Sequence, residues 1–289
     1  MVKCIATDMD GTLLNHEQRI SERNKLAIET AIQQGVKVVV ATGRSYPEAA
    51  TVLKEANLSL PIICVNGAEI RNTAGEVVYS KGMKKERASF IAKELKKRDI
   101  YFEIYTNKGS FSENYQLGVD VIVDIFHTAN PEIPEELIRK RAVERLEVGV
   151  FEEISDYETI FSSSEYDVYK FLVFSKQKEV LKEAYEVLVE IEDIAISSSG
   201  EENLEINSSD AQKGIALSHF VAEQGISLED TLALGDNLND VSMLSVVGYP
   251  VAMGNAHKDV LALCEYTTLT NREDGVGRAI ESIVLKVHQ

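Results

Sequence analysis

The sequence predicts an α/β fold: a parallel sheet core with helices on both faces, plus an inserted α+β segment. Three observations carry that expectation. Short β-branched runs alternate with helical patterns over residues 4–80, and the same alternation returns from Lys213 onward. Between these two parts, helices alternate instead with short amphipathic strands. Strands separated by helical crossovers form parallel sheets with right-handed connections, whereas the middle pattern suits a separate α+β layer.

Taken in order, Ile5-Ala6-Thr7 is a short apolar strand that stops at Asp8. Ser21 is placed to cap a helix carrying Leu26, Ala27, Ile28, Ala31 and Ile32 near helical spacing, and Gly35 closes it. Lys37-Val38-Val39-Val40-Ala41 is too continuously apolar for a half-exposed strand and reads as buried on both faces. Pro47 sits where the first turn of a helix tolerates it, and Ile62-Ile63-Cys64-Val65 is the next buried strand. In the middle part Ala88, Ile91, Ala92 and Leu95 share a helical face, followed by alternating Tyr101-Phe102-Glu103-Ile104-Tyr105. A helical stretch from Glu135 to Leu146, a strand Tyr169–Val173 and a helix bearing Val180, Ala184, Val187 and Ile191 come next. The last part reads as a helix from Lys213 to Gln224 and a strand Thr231–Leu234 ending at Gly235-Asp236. A short helix from Val241 to Val246 and a strand Pro250–Met253 follow. The expected domains are therefore a discontinuous core, 1–82 with 193–289, and an inserted segment, 83–192.

Composition narrows the function. At 289 residues the chain is long enough for two domains at roughly 150 residues each. It needs no disulfide or metal staple to bury a core. Lys plus Arg total 30 against Asp plus Glu 47, a formal charge of −17. Such a chain repels nucleic acid and anionic membrane, and no long basic run offsets this. The N-terminus, Met1-Val2-Lys3-Cys4, shows no apolar targeting region. The longest uncharged stretch, Val241 to His257, is broken by Ser242, Ser245, Gly248 and Pro250, so no membrane span is expected. Cys4, Cys64 and Cys264 are odd in number, widely spaced and without a zinc pattern, which fits a reducing cytoplasm.

The chemistry lies at strand ends. Asp8-Met9-Asp10-Gly11-Thr12 closes the first strand, at the edge where open parallel sheets bind ligands. Period-2 geometry sends Asp8 and Asp10 in one direction, and Gly11 lets the chain turn away. Two carboxylates aimed at one point raise each other's pKa unless a cation sits between them. The plain alternative is an Asx turn after a strand. Gly235-Asp236-Asn237-Leu238-Asn239-Asp240 ends another parallel strand and adds acidic groups at the same edge. Alone, this second motif reads more readily as a helix cap; with the first, hard oxygen donors and no His or Cys select Mg²⁺. Thr42-Gly43-Arg44 brings a hydroxyl and backbone N–H groups to that edge, and Lys213-Gly214 opens a helix whose N-terminus favours an anion. Lys213 taken singly reads as a solvated surface residue.

Together, Asp8-x-Asp10-Gly11-Thr12, Thr42-Gly43-Arg44, Lys213-Gly214 and Gly235-Asp236-x-x-Asn239-Asp240 resemble the four motifs of the haloacid dehalogenase (HAD) superfamily. The insertion between the second and third motifs, with Val65-Asn66-Gly67-Ala68 before it, is similar to Cof-type phosphatases with a type IIB cap. The resemblance covers essentially the whole chain. It implies a Rossmann-like core, an α+β cap covering the active site and a Mg²⁺-dependent phosphatase of small phosphate monoesters, such as sugar or nucleotide phosphates. It implies that Asp8 is the nucleophile forming an aspartyl-phosphate and Asp10 the general acid and base. Mg²⁺ would be held by Asp8, Asp236 and the backbone carbonyl of Asp10. Thr42, Gly43, Arg44, Lys213 and Asn239 would contact phosphate or substrate. Asp240 would orient the metal's waters and Lys213, or ligate the metal itself. Asn66-Gly67 is either a plain turn or a substrate contact. Two other functions use similar parts: a phosphomutase with the same Asp8 chemistry, and a phospho-accepting signalling module of the receiver type. Asp10 argues against signalling, because rapid dephosphorylation defeats a signal. The expected partner is a small phosphorylated metabolite, with no nucleic acid and no membrane; protein partners stay open.

Overall fold

A computed structural model describes residues 1–129, 134–148, 151–198 and 202–285. The chain divides into two compact units, Met1–Ser80 with Ala211–Gln289, and Lys81–Asp210. The first unit opens with β1 (Cys4–Thr7), α1 (Glu22–Gln33), β2 (Lys37–Ala41), α2 (Tyr46–Glu55), β3 (Ile62–Cys64), β4 (Glu69–Arg71) and β5 (Val77–Ser80). The second runs α3 (Lys85–Lys96), β6 (Tyr101–Thr106), β7 (Gly109–Ser112), α4 (Tyr115–Ala129), α5 (Glu135–Val148), β8 (Phe151–Glu153), α6 (Glu158–Ser162), β9 (Val168–Phe174), α7 (Lys178–Leu188), β10 (Ile194–Ser197) and β11 (Asn203–Ser208). The first unit resumes with α8 (Lys213–Glu223), β12 (Thr231–Gly235), α9 (Val241–Leu244), β13 (Tyr249–Ala252), α10 (Lys258–Leu263), β14 (Tyr266–Thr267) and α11 (Gly275–Ala279).

In the first unit the strand order is β14-β13-β12-β1-β2-β3-β4-β5. β1 lies between β12 and β2, parallel to both, with Cys4 opposite Thr231 and Lys37. The chain winds one way from β1 to β2 and β3 and the other way from β12 to β13 and β14. The C-terminal ends of β1, β2 and β12 therefore meet at a topological switch point, where such sheets bind ligands. Alternation divides the buried strand residues between the two faces. On one face Cys4, Ala6, Val39, Ala41, Ile63 and Ala233 pack on Leu217, Phe220 and Val221 of α8 and on Met243 of α9. On the other, α1 lies against β2 and α11 and buries Ala27, Ile28 and Ala31. The fold is thus α/β, a Rossmann-like parallel sheet with helices on both faces and an inserted α+β unit.

Three details depart from the sequence reading. Leu26 of α1 is 64% exposed and Ile32 is also exposed, so the buried stripe is narrower than the apolar pattern; the Ser21 cap does form, accepting the Asn24 N–H at 3.2 Å. Beyond β3 the sheet turns antiparallel through the hairpin β4–β5, where only parallel strands were expected. The inserted unit is also longer than the sequence reading drew it: it begins slightly earlier and ends well later, spanning 81–210 rather than 83–192. β11 pairs antiparallel with β9, opposing Asn203 to Phe174, and β10 pairs with β11. Ile194, Ile196, Leu204 and Ile206 thereby join the second unit's core. The Ser- and Glu-rich run between these strands hides them from a periodicity reading.

Described by itself, the second unit is a six-stranded sheet in the order β10-β11-β9-β6-β7-β8, antiparallel except between β7 and β8. Phe102, Ile104, Phe171 and Val173 face Ala88, Ile91 and Leu95 of α3 and Leu181 and Ala184 of α7. Among the described residues no helix is long and apolar enough to cross a membrane.

The ends of the insertion are drawn together by Lys81 and Asp210, whose Nζ and Oδ2 lie 3.0 Å apart. Replacing residues 81–210 by a short Gly/Ser linker is expected to leave a first unit that melts cooperatively by circular dichroism. Replacing only 83–192 leaves β10 and β11 without β9, and should lower the midpoint or cause aggregation. Equal melting of the two proteins would contradict the boundary at Asp210.

Candidate active site

Asp8 follows β1 directly, and its N–H donates to the Leu234 carbonyl of β12 at 3.0 Å, so the strand ladder fixes its position. Its side chain is buried, 5% exposed. Lys213, the first residue of α8, is wholly buried, and its Nζ donates to Asp8 Oδ1 and to Asp240 Oδ1, each at 2.7 Å. Asp8 Oδ2 accepts no hydrogen bond among the described residues. Asp240 spends its other oxygen on the backbone, since Oδ2 accepts from the N–H of Asp236 at 2.9 Å and of Asn237 at 3.0 Å. Asp236 Oδ1 accepts from the Thr12 hydroxyl at 2.9 Å. Asp8, Asp236 and Asp240 each present a carboxylate oxygen within 4.8 Å of the others.

This cluster is electrostatically unbalanced. Burial pushes the Asp8 carboxyl well above its ordinary range; Lys213 opposes that shift, while Asp240, Asp236 and Asp10 add to it. Asp236 is raised to about 7, by burial first and by Asp240 next, against the Thr12 hydrogen bond. Burial alone would lower the Lys213 ammonium, but Asp240 and Asp8 outweigh it and keep the group charged. Three carboxylates against one ammonium leave two negative charges uncompensated, which is the charge of one divalent cation. An all-oxygen donor set of this kind suits Mg²⁺. Because Asp240 is already satisfied by Lys213 and two amides, Asp8 and Asp236 are the better placed to hold the ion, with Asp240 behind them.

The remaining predicted residues sit around this cluster, though not all as expected. Gly11 has φ of 76°, and a Cβ there would collide with the Asp236 carboxylate, so only glycine allows the turn after Asp10 to pack so closely. The Asp10 side chain does not join the three-carboxylate cluster. It is half-exposed and gripped by Arg44, whose Nε donates to Oδ2 at 2.7 Å and whose Nη2 donates to Oδ1 at 2.5 Å. Arg44, expected on the substrate, thus forks a carboxylate instead, the geometry to which a guanidinium is best suited. Its Nη2 also donates to Gln18 Oε1 at 2.5 Å. Thr42 is buried after β2, and its hydroxyl oxygen accepts the Arg44 N–H at 3.1 Å, with half-buried Gly43 between them. Asn239 Nδ2 reaches Asn66 Oδ1 at 3.4 Å.

The structure brings in three residues that the sequence does not assign to the site. Thr12 was legible, since it stands in the first motif. Asn66 reads from the sequence as either a plain turn residue or a substrate contact. Gln18 carried no signal, because nothing in its neighbourhood marks a residue with φ of 61° that meets Arg44.

The profile of the haloacid dehalogenase-like hydrolase family matches residues 5–280. Phosphatase YwpJ of Bacillus subtilis (strain 168) is 34% identical over 285 residues, spanning 98% of this chain and 100% of the relative. YwtE of the same organism, a 5-amino-6-(5-phospho-D-ribitylamino)uracil phosphatase, is 34% identical over 284 residues and 98% of each chain. The solved structure of a haloacid dehalogenase-like hydrolase from B. subtilis superposes with a TM-score of 0.90 at 34% identity, covering 98% of this chain and 100% of that one.

The raised acids dictate a pH dependence for the metal-free protein. Between the ordinary value of 3.8 and about 7, folded Asp236 keeps a proton that the unfolded chain has released. The folded state then binds more protons, so stability falls as pH rises through that window. Asp8 acts with the same sign. The melting temperature in excess chelator is expected to drop between about pH 5 and pH 8, and Asp236→Asn should flatten that slope. A flat or rising wild-type profile would contradict the electrostatic account.

Proposed function

The chain belongs to the haloacid dehalogenase-like hydrolase family and is a Cof-type phosphatase. On that premise we propose that it is a Mg²⁺-dependent phosphatase of small phosphate monoesters, acting through an aspartyl-phosphate on Asp8. The carrying observation is the buried Asp8 itself, with one oxygen pinned by Lys213 and the other left to react. The family's named phosphatases set aside the signalling alternative.

A carboxylate approaching a phosphate dianion at about 4 Å costs roughly 8 kcal/mol, from about 4 kcal/mol per unit-charge pair at an effective dielectric near 20. Lys213 is the chain's own answer to that repulsion, held charged by Asp8 and Asp240. Mg²⁺ held by Asp8 and Asp236 would supply further charge neutralisation. Asp8 attacks phosphorus, the P–O bond to the leaving alcohol breaks, and Asp10 gives that alcohol its proton. Asp10 then takes a proton from water, which attacks the aspartyl-phosphate, releases phosphate and restores Asp8. Arg44 grips the ionised Asp10 through both oxygens, which suits the water step, where Asp10 is the base. The Thr42 hydroxyl, already accepting from Arg44, keeps its proton to donate to a phosphate oxygen.

The relatives support a substrate class. A relative that acts on a phosphorylated ribityl compound supports a small phosphorylated polyol, sugar or nucleotide here. We read the inserted unit, which rejoins the first at Ala211, as the part of the chain that selects the leaving group, as the family resemblance implies.

Two experiments test this reading. Removing divalent cations should abolish phosphate release from an aryl phosphate, and Mg²⁺ should restore it; full activity in excess chelator would refute metal dependence. With the same substrate, Asp10→Asn should accumulate phospho-Asp8, because an aryl leaving group needs little acid while the water step still needs a base. General acid–base help is worth about 10²–10⁴-fold, so its turnover should fall within that range. Asp8→Asn should trap no phosphoryl group. Covalent phosphate on Asp8→Asn, or wild-type turnover by Asp10→Asn, would overturn the roles.

A further inference from the structure

The Val65-Asn66-Gly67 turn is a strained segment at the sheet edge that the proposed chemistry does not use. β3 and β4 form a hairpin in which Cys64 opposes Glu69, so four residues make the loop. A tight hairpin explains left-handed Asn and Gly, here with φ of 60° and 103°. It does not explain Val65 at φ of 49°, where a β-branched residue is a genuine outlier. Nor does it explain why the Asn66 side chain is buried rather than turned to solvent. Strain of this kind persists only where the surroundings enforce it.

Those surroundings are the other motifs. The Asn66 N–H donates to the Thr42 carbonyl and the Val65 N–H to the Arg44 carbonyl, both at 2.9 Å. Gly67 lies so close to the Gln212 carbonyl that a Cβ would collide with it, one residue from the catalytic lysine. The Asn66 carboxamide meets Asn239 at 3.4 Å. One turn thus contacts the Thr42–Arg44 loop, the start of α8 and the loop that carries Asn239.

We propose that Asn66 is a positioning residue of the phosphatase site: its carboxamide, aimed by the strained turn, holds Asn239 against the substrate's phosphate. This rests on the reading of Asn239 as a phosphate contact. A neutral hydrogen bond contributes about 1 kcal/mol net, so its loss should slow the reaction by about tenfold at most.

The test is a double-mutant cycle on the full chain, with an aryl phosphate and Mg²⁺. Asn66→Gly removes the carboxamide and keeps the left-handed backbone. It should melt near the wild type while kcat/KM falls five- to tenfold. Asn66→Ala should lose the same activity and melt lower, because Ala resists positive φ; it also serves in the cycle if Asn66→Gly does not fold. Asn66→Gly combined with Asn239→Ala should be no slower than Asn239→Ala alone, whereas a purely structural Asn66 would make the two losses multiply. Multiplying losses, or a wild-type rate in Asn66→Gly, would overturn the proposal. A wild-type rate in Asn239→Ala would instead overturn the assignment of Asn239 on which it rests.

Discussion

The structure is organised around one buried ammonium. Lys213 sits with no solvent exposure between Asp8 and Asp240, and it is the cation that makes a three-carboxylate cluster tolerable at the end of a parallel sheet. Breaking a buried pair by removing one partner costs about 3–5 kcal/mol, because the remaining charge stays buried and unpaired. Stability alone does not call for such a cluster, since apolar residues of similar volume would serve at least as well. On the proposed function, a divalent cation would balance its two uncompensated charges.

The sheet topology makes that concentration of charge possible. β1, β2 and β12 end at one edge because they are adjacent and parallel, and each hands its next residue to the same crevice. Asp8, Thr42 and Asp236 need no long-range coincidence to meet, because the strand ladder aligns them. Finer placement comes from backbone contacts. Gly11 packs on the Asp236 carboxylate, and Asp240 accepts two amides of its own loop, so the acids are immobilised before any substrate arrives. Preorganisation of this sort is where electrostatic catalysis gains most.

Much of this was legible in the amino-acid order. The β-branched run Val38–Val40 and the apolar Thr231–Leu234 announce buried strands, and the residues that end them are the site. What escaped depends on groups that meet only through tertiary structure. Arg44 was expected to face the substrate because it leaves a strand end; local pattern does not reveal that Asp10, distant in sequence, presents a matched carboxylate. β10 and β11 escaped because an edge hairpin with a polar connection lacks a continuous apolar signature, and their identity comes from pairing with β9. Asn66 was ambiguous because Asn-Gly reads as a turn, and it is one; the strain at Val65 is what marks it as more.

The central claim is that the buried cluster is two charges short and built to take one divalent cation. Calorimetric titration of metal-free protein with Mg²⁺, in two buffers of different ionisation enthalpy near pH 6.5, tests it most directly. The account predicts one ion per chain, proton release on binding as Asp236 and Asp8 surrender their raised pKa values, and loss of binding in Asp236→Ala. Binding without proton release, or binding that survives Asp236→Ala unchanged, would contradict it.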